Sequence, residues 1–139
     1  MKKLLFLMLI VGMMVTFSSG YAMAYTGPYY YATGSINGVK YLAGGVGINE
    51  RARMREMAEN YNVKMVFADP AGADLANVQV EIRNSTGKNL IQTYSNGPWV
   101  YVKLPAGHYT ITATHDGKSE TRKLVVGKVW QEEMFRFKA

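Results

Sequence analysis

The sequence predicts an all-β fold, a seven-stranded antiparallel Greek-key β-sandwich with one N-terminal α-helix packed on it. Three observations carry this. From Asn62 onward apolar residues recur at every second position, the period of a strand with one buried face. The runs are short and end in Gly, Pro, Asn and Asp turns, the spacing of a sandwich. The intervals between them are too short for crossover helices, which argues against a parallel α/β sheet.

The chain opens with Lys2 and Lys3, an apolar run from Leu4 to Phe17, and small and polar residues ending in Ala22-Met23-Ala24. The order basic, apolar, small with an A-x-A ending predicts a signal peptide over 1–24, removed on export to the periplasm or outside the cell. The apolar run is too short for a comfortable membrane span, so no spanning segment is expected after cleavage. There is no Cys, so neither a lipid-anchored cysteine nor a disulfide framework is available, and the core must hold the domain. Removing 24 of 139 residues leaves 115, one ordinary domain, and takes the net charge from +6 to +4. That charge is modest and no basic-aromatic tract accompanies it, so nucleic acid is not an expected partner. Weak attraction to acidic polymers or anionic headgroups remains open.

Residues 25–47 are rich in Tyr and Gly without a long apolar period. They read as an extended arm, with a short strand at Gly38 to Leu42. Tyr29, Tyr30 and Tyr31 are candidate partner or ligand contacts, since adjacent rings offer a stacking platform to sugar or protein. The competing reading packs these rings on their own domain.

Within 48–61 an amphipathic helix is predicted, spanning Asn49 to Asn60 with Asn49 as N-cap. Met54, Met57, Ala58 and Tyr61 fall at the spacing of a buried stripe. Arg51, Arg55 and Glu59 line another face, with Arg55 and Glu59 at the i,i+4 spacing of an exposed pair. The preceding Gly44-Gly45-Val46-Gly47 run invites a phosphate-loop reading, because free N–H groups at a helix start attract anions. Glu50 stands where a dinucleotide fingerprint needs its third Gly, and no Lys-Ser/Thr follows. A lead-in to the helix is the better reading.

The sandwich occupies 62–139. Val63, Met65 and Phe67 make its first strand and Val78, Val80 and Ile82 its second, followed by strands near 88–95, 99–104, 108–115, 120–126 and 129–137. In the stretch GPWVYVKLPAGHYTITATHDGK (97–118), Pro105 fixes φ for a corner, Gly107 relaxes the backbone there, and Tyr109 starts the strand that leaves it.

Residues 62–126 resemble the carboxypeptidase regulatory-like domain, a transthyretin-like sandwich. The resemblance rests on Phe67 to Gly72, on Leu75-Ala76-Asn77-Val78-Gln79-Val80, and on Gly97 to Tyr109 with its Leu104-Pro105-Ala106-Gly107-His108-Tyr109 corner. It implies that Trp99 and Tyr101 face inward, with Leu104 closing the corner. Val100 and Val102 would then point outward, and they are candidate partner contacts unless the helix covers them. Two related chemistries fit poorly. The chain ends Phe135-Arg136-Phe137-Lys138-Ala139 where hydroxyisourate hydrolases carry Tyr-Arg-Gly-Ser. Trp99 to Leu104 lacks the carboxylate, and the last strand the Asn or Asp, that an isopeptide-forming adhesin domain needs.

No catalytic, cofactor or metal residues are assigned. His108 and His115 stand seven apart on one strand and so point to opposite faces. His115-Asp116 with Ser119 resembles a triad only in order, because Asp116-Gly117 is a good hairpin turn and nothing supplies an oxyanion site. Met54 and Met57 suit copper(I), but a core-facing helix needs the same spacing. Thr110, Thr112 and Thr114 form an outward row favoured by β-branching. The leading function is a non-catalytic exported sandwich that binds or supports another cell-envelope component, protein or polysaccharide. The alternatives are a small periplasmic metal carrier or sensor and a hydrolase. A pocket joining either histidine to a carboxylate would favour the hydrolase.

Overall fold

The computed structural model describes residues 32–138; the segment 1–24 and the cluster Tyr29, Tyr30 and Tyr31 lie outside it. Nine strands are formed among the described residues. They are β1 (Ala32–Ile36), β2 (Val39–Gly44), β3 (Val63–Ala68), β4 (Val78–Asn84), β5 (Asn89–Ser95), β6 (Trp99–Val102), β7 (Gly107–His115), β8 (Lys118–Val126) and β9 (Gln131–Arg136). Helix α1 (Ile48–Met57) runs into a 3-10 turn over Ala58–Asn60. Sheet A has the order β1-β2-β6-β3-β9 and sheet B the order β5-β4-β7-β8.

The all-β, two-sheet architecture with one helix is as expected, while strand number and pairing differ. Part of the presumed arm, from Ala32 to Gly44, is a β-hairpin turned at Asn37-Gly38, both at positive φ. It joins the sandwich through β2, which pairs antiparallel with β6. Not every pairing is antiparallel either: β9 lies parallel to β3, in register from Val63↔Gln131 to Ala68↔Arg136. A parallel pair needs a long return connection, and here all of sheet B together with β6 supplies it in place of a helix.

One core lies between the sheets. Sheet A contributes Val39, Ala43, Val63, Met65, Phe67, Val100, Val102 and Phe135, and sheet B contributes Val78, Val80, Ile82, Ile91, Ile111, Ala113, Leu124 and Val126. These are the alternating positions of each strand, as the period requires. The corner before β7 is locked by Tyr109, whose hydroxyl donates to the Pro105 carbonyl at 2.7 Å.

β6 corrects the expected facing. Val100 and Val102 are not outward: they are buried in the inter-sheet core, at 1% and 0% exposure. Trp99 and Tyr101 point to the opposite side, where they join Leu42, Val66 and Met54 in a second cluster edged by Met57, Ala58 and Tyr61. The helix does pack across the outer face of this sheet, but on the aromatic residues. WVYV is apolar at every position because β6 is the central strand and is covered on both faces.

Helix α1 begins two residues earlier than expected, with Gly47 as N-cap in place of Asn49 and no side-chain cap. Its buried stripe is Glu50 and Met54, continued by the half-buried Met57, Ala58 and Tyr61. The Glu50 carboxylate reaches back to accept from the Gly45 N–H at 2.9 Å, and Arg51 Nε donates to the Gly45 carbonyl at 2.7 Å. Gly45 sits at φ +94°, and a Cβ there would press on the Trp99 ring. The glycine run is therefore a tight reversal from β2 onto the sheet. An anion would find the Gly45 donor already occupied.

Asn62 fastens the end of β6 to the start of β3. Its side chain accepts from the Leu104 N–H at 2.9 Å and donates to the Leu104 carbonyl at 2.7 Å. Its backbone N–H bonds Val102, and its carbonyl accepts from Gln131 at the start of β9. Asn62→Ala strips two hydrogen bonds and leaves a partly buried backbone pair unmet. It should cost about 1–3 kcal/mol in urea unfolding, with Asn62→Asp restoring only part of the loss.

Candidate functional site

The two sheets differ in what lies outside them. On sheet A the helix closes over Trp99 and Tyr101, and cations complete the cover. Lys64 Nζ stands 3.6 Å from the Trp99 ring centre, with the guanidinium carbons of Arg51 and Arg55 at 4.9 and 5.4 Å. Arg51 and Arg55, expected on a solvated face, thus lean over the indole, an attraction worth about 0.5–2 kcal/mol each depending on desolvation. Arg51 also pairs with Asp74, and Lys64 lies 3.7 Å from Glu132. Burial holds the Lys64 ammonium below its ordinary pKa; nearby Glu132 opposes this, and Arg55 adds to it. Tyr61 and Trp130 meet the Tyr101 ring edge-on at 5.9 and 5.5 Å. Over β2, β6 and β3 this face is occupied by its own chain.

No described element lies across the outer face of sheet B, and that face is the candidate site. Strand register brings its side chains into rows. One row runs Tyr94, Gln79, Thr114, Ser119, and the next runs Gln92, Glu81, Thr112, Thr121. A third holds Arg83, Thr110 and Lys123, and His108 with Val125 completes the end. The threonine row is outward as expected. Its hydroxyls pair across the strands, Thr112 with Thr121 at 3.2 Å and Thr114 with Ser119 at 2.7 Å. Each hydroxyl so engaged keeps a lone pair for a ligand. Tyr94 is the large ring on this face and is 69% exposed.

At the His108 end the face sinks into a cleft of about 430 Å3, lined by Arg83, Ser85, His108, Thr110, Lys123 and Val125 among others. The β4–β5 turn forms its rim. Asn84 Oδ1 holds that turn by accepting from the N–H groups of Thr86 (3.1 Å) and Lys88 (2.9 Å) and from the Thr86 hydroxyl (2.7 Å). Such side-chain-to-backbone bonds fix a loop before any ligand arrives. Arg83 is shared with Glu81 on the neighbouring row at 2.5 Å.

The two histidines are separated, as expected. His108 is exposed in this cleft. His115 lies at the other end of β7 against Phe137, ring centres 5.8 Å apart, with Nδ1 buried and unpartnered. A cavity of about 210 Å3 beside it includes Asp69 and Asp116, the histidine-carboxylate grouping that would favour a hydrolase. Asp69 is committed to its turn, accepting from the Ala73 N–H at 2.8 Å, and the cavity lining contains no Ser, Thr or Cys to act as nucleophile. Met54 is fully buried against Leu42, Val66 and the β6 aromatics, so its thioether serves packing. Among the described residues no group of three His, Cys, Asp or Glu side chains converges, and no helix is long and apolar enough to cross a membrane.

Sequence reasoning named the threonine row and His108 but did not join them to Arg83, Gln92, Tyr94 and Lys123. The signal was present, since all lie at outward positions of strands it had identified. The order of strands in the sheet, which brings them side by side, was not. No protein-family model matches the chain, and none of the curated proteins matches it significantly.

Proposed function

We propose that this protein is a non-catalytic, exported β-sandwich that binds another component of the cell envelope through the outer face of sheet B. The observation that carries this reading is the asymmetry of the two outer faces. One is covered over β2, β6 and β3 by helix, aromatics and cations, and the other presents hydrogen-bonding side chains in register with a preformed cleft at one end. The basic-apolar-small start of the chain supports export with cleavage after Ala24. The resemblance to carboxypeptidase regulatory-like, transthyretin-like domains is compatible with β3–β9 forming a seven-stranded Greek-key unit to which hairpin and helix are added. A fold of this kind carries many functions, so the site and not the fold supports the reading.

The test is crosslinking in intact cells. A photo-reactive amino acid at Thr112, in the middle of the open face, should trap an envelope protein or polysaccharide. The same group at Arg136, on sheet A, should trap much less. Equal trapping from both positions, or none from Thr112, would remove the reading.

The hydrolase reading has one observation in its favour, the cavity that His115 shares with Asp69 and Asp116. Loss of a measured esterase or amidase activity in His115→Gln, with the fold unchanged, would establish it.

A further inference from the structure

The open face has a chemical bias that narrows its partner, and the inference here rests on the reading just given. Three basic side chains, Arg83, His108 and Lys123, converge on the cleft, and none of its lining residues is acidic. Arg83 already shares a carboxylate with Glu81, whereas Lys123 and His108 have no such partner among the described residues. The cleft volume of about 430 Å3 falls in the range of small-ligand sites, roughly 300–1,000 Å3. It would admit one sugar unit bearing an anionic group.

The rows beyond it are Thr, Ser and Gln side chains with one carboxylate, Glu81, which Arg83 neutralises, and Tyr94 is exposed on the far strand. A protein-binding surface would place an apolar, aromatic-rich patch at its centre, and here the centre is hydroxyls, amides and the Arg83-paired Glu81. A membrane surface would need apolar groups to insert, and on this face Val125 and Tyr94 alone are large, exposed and apolar. Hydroxyls and amides in rows with one stacking ring suit the hydroxyl-covered edges and apolar faces of a sugar chain.

We infer that the outer face of sheet B binds an acidic polysaccharide, with one carboxylate-bearing sugar seated in the Arg83–His108–Lys123 cleft and the chain lying along the threonine rows. Lys123 and Arg83 supply charge-assisted hydrogen bonds to the anion, and Thr110 and Ser85 offer hydroxyls beside it. Thr112, Thr114, Thr121 and Ser119 then contact the neutral hydroxyls of the following sugars.

Calorimetric titration of the cleaved protein with polygalacturonate, with its methyl ester as the uncharged comparison, tests this. Binding is expected to the acid form, with the ester weaker by about tenfold or more. Lys123→Gln should weaken acid-form binding by about tenfold, while Arg136→Gln, equal in charge change but on sheet A, should leave it unaltered. Thr114→Val should weaken both forms by a similar factor, since it removes a hydroxyl and no charge. Melting curves of the variants should match the parent, because every altered side chain reaches solvent. Equal losses in Lys123→Gln and Arg136→Gln would reduce the effect to diffuse charge and overturn the inference. Binding to phosphatidylglycerol vesicles but not to polygalacturonate would overturn it in favour of a lipid headgroup. Absence of polysaccharide binding while Thr112 crosslinks in cells would overturn this inference and leave the broader reading standing.

Discussion

Truncation of Tyr101 to alanine is expected to lower the unfolding free energy by about 3–5 kcal/mol, the cost of deleting a large buried aromatic. Few residues of the chain are as central. Tyr101 is 1% exposed, sits opposite Leu42 on β2 and Lys64 on β3, and stacks on Trp99 at 6.3 Å with the ring planes 17° apart. Tyr61 and Trp130 close on it edge-first, so one substitution removes the common neighbour of three rings. Tyr101→Phe keeps the ring and should lose less than about 1.5 kcal/mol. Burial holds the Tyr101 and Tyr61 phenols above their ordinary pKa. The folded state therefore retains these protons after the unfolded chain has released them, and stability should fall as pH rises past about 10. Urea denaturation of the three proteins at pH 7 and 10.5 checks both statements. A loss under 1.5 kcal/mol for Tyr101→Ala would mean that the helix-side cluster contributes little.

The second large effect concerns the helix. Met54 is its one apolar side chain with no exposure, and it lies on the β6 aromatics, so Met54→Ala should cost about 2–5 kcal/mol. Met54→Leu preserves volume and should cost under about 1.5 kcal/mol. An isolated ten-residue helix is marginal in water, which makes this docking the main reason it is helical at all. Amide hydrogen exchange should locate the damage. In Met54→Ala, protection is expected to fall first at Arg51–Met57 while β4 and β7 hold. Uniform loss across both sheets would show that helix and sandwich unfold as one unit.

How much could be read beforehand depended on periodicity. β4 and β7 alternate cleanly, and their core faces follow from the sequence alone, whereas β3 is apolar on both faces from Met65 to Ala68 and β8 is polar until Leu124. β6 does not alternate, because Trp99, Val100, Tyr101 and Val102 are all apolar. A period of two says which residues share a face but not which face is inner, and here the inner pair is the valines. β1 was hidden for the opposite reason. Ala-Thr-Gly-Ser-Ile is exposed almost throughout, held in the sheet by its ladder to β2 and not by buried side chains. The parallel β3–β9 pairing left no local trace, since strand direction in a sheet is a property of topology. Glu50 at the helix start looked solvated and is 4% exposed, because its carboxylate serves a backbone donor five residues back. At the candidate site each residue was visible separately, and only the strand order showed which were neighbours.

The parallel pair has a consequence for how the molecule comes into being. β3 lies between β6 and β9, and its second neighbour is the last of the described strands. A polypeptide emerging N-terminus first, from a ribosome or through a narrow channel, presents β3 some sixty residues before β9 exists to flank it. Until Phe135 arrives beside Phe67, whose rings end 5.7 Å apart, that side of the core stays open to water. Closing so long a loop is slow, and the β3–β9 contacts that repay it form only after β9 is made. The order of the strands thus sets an order of assembly: β3 can pair with β6 before β9 is made, and the core beside Phe67 closes after it.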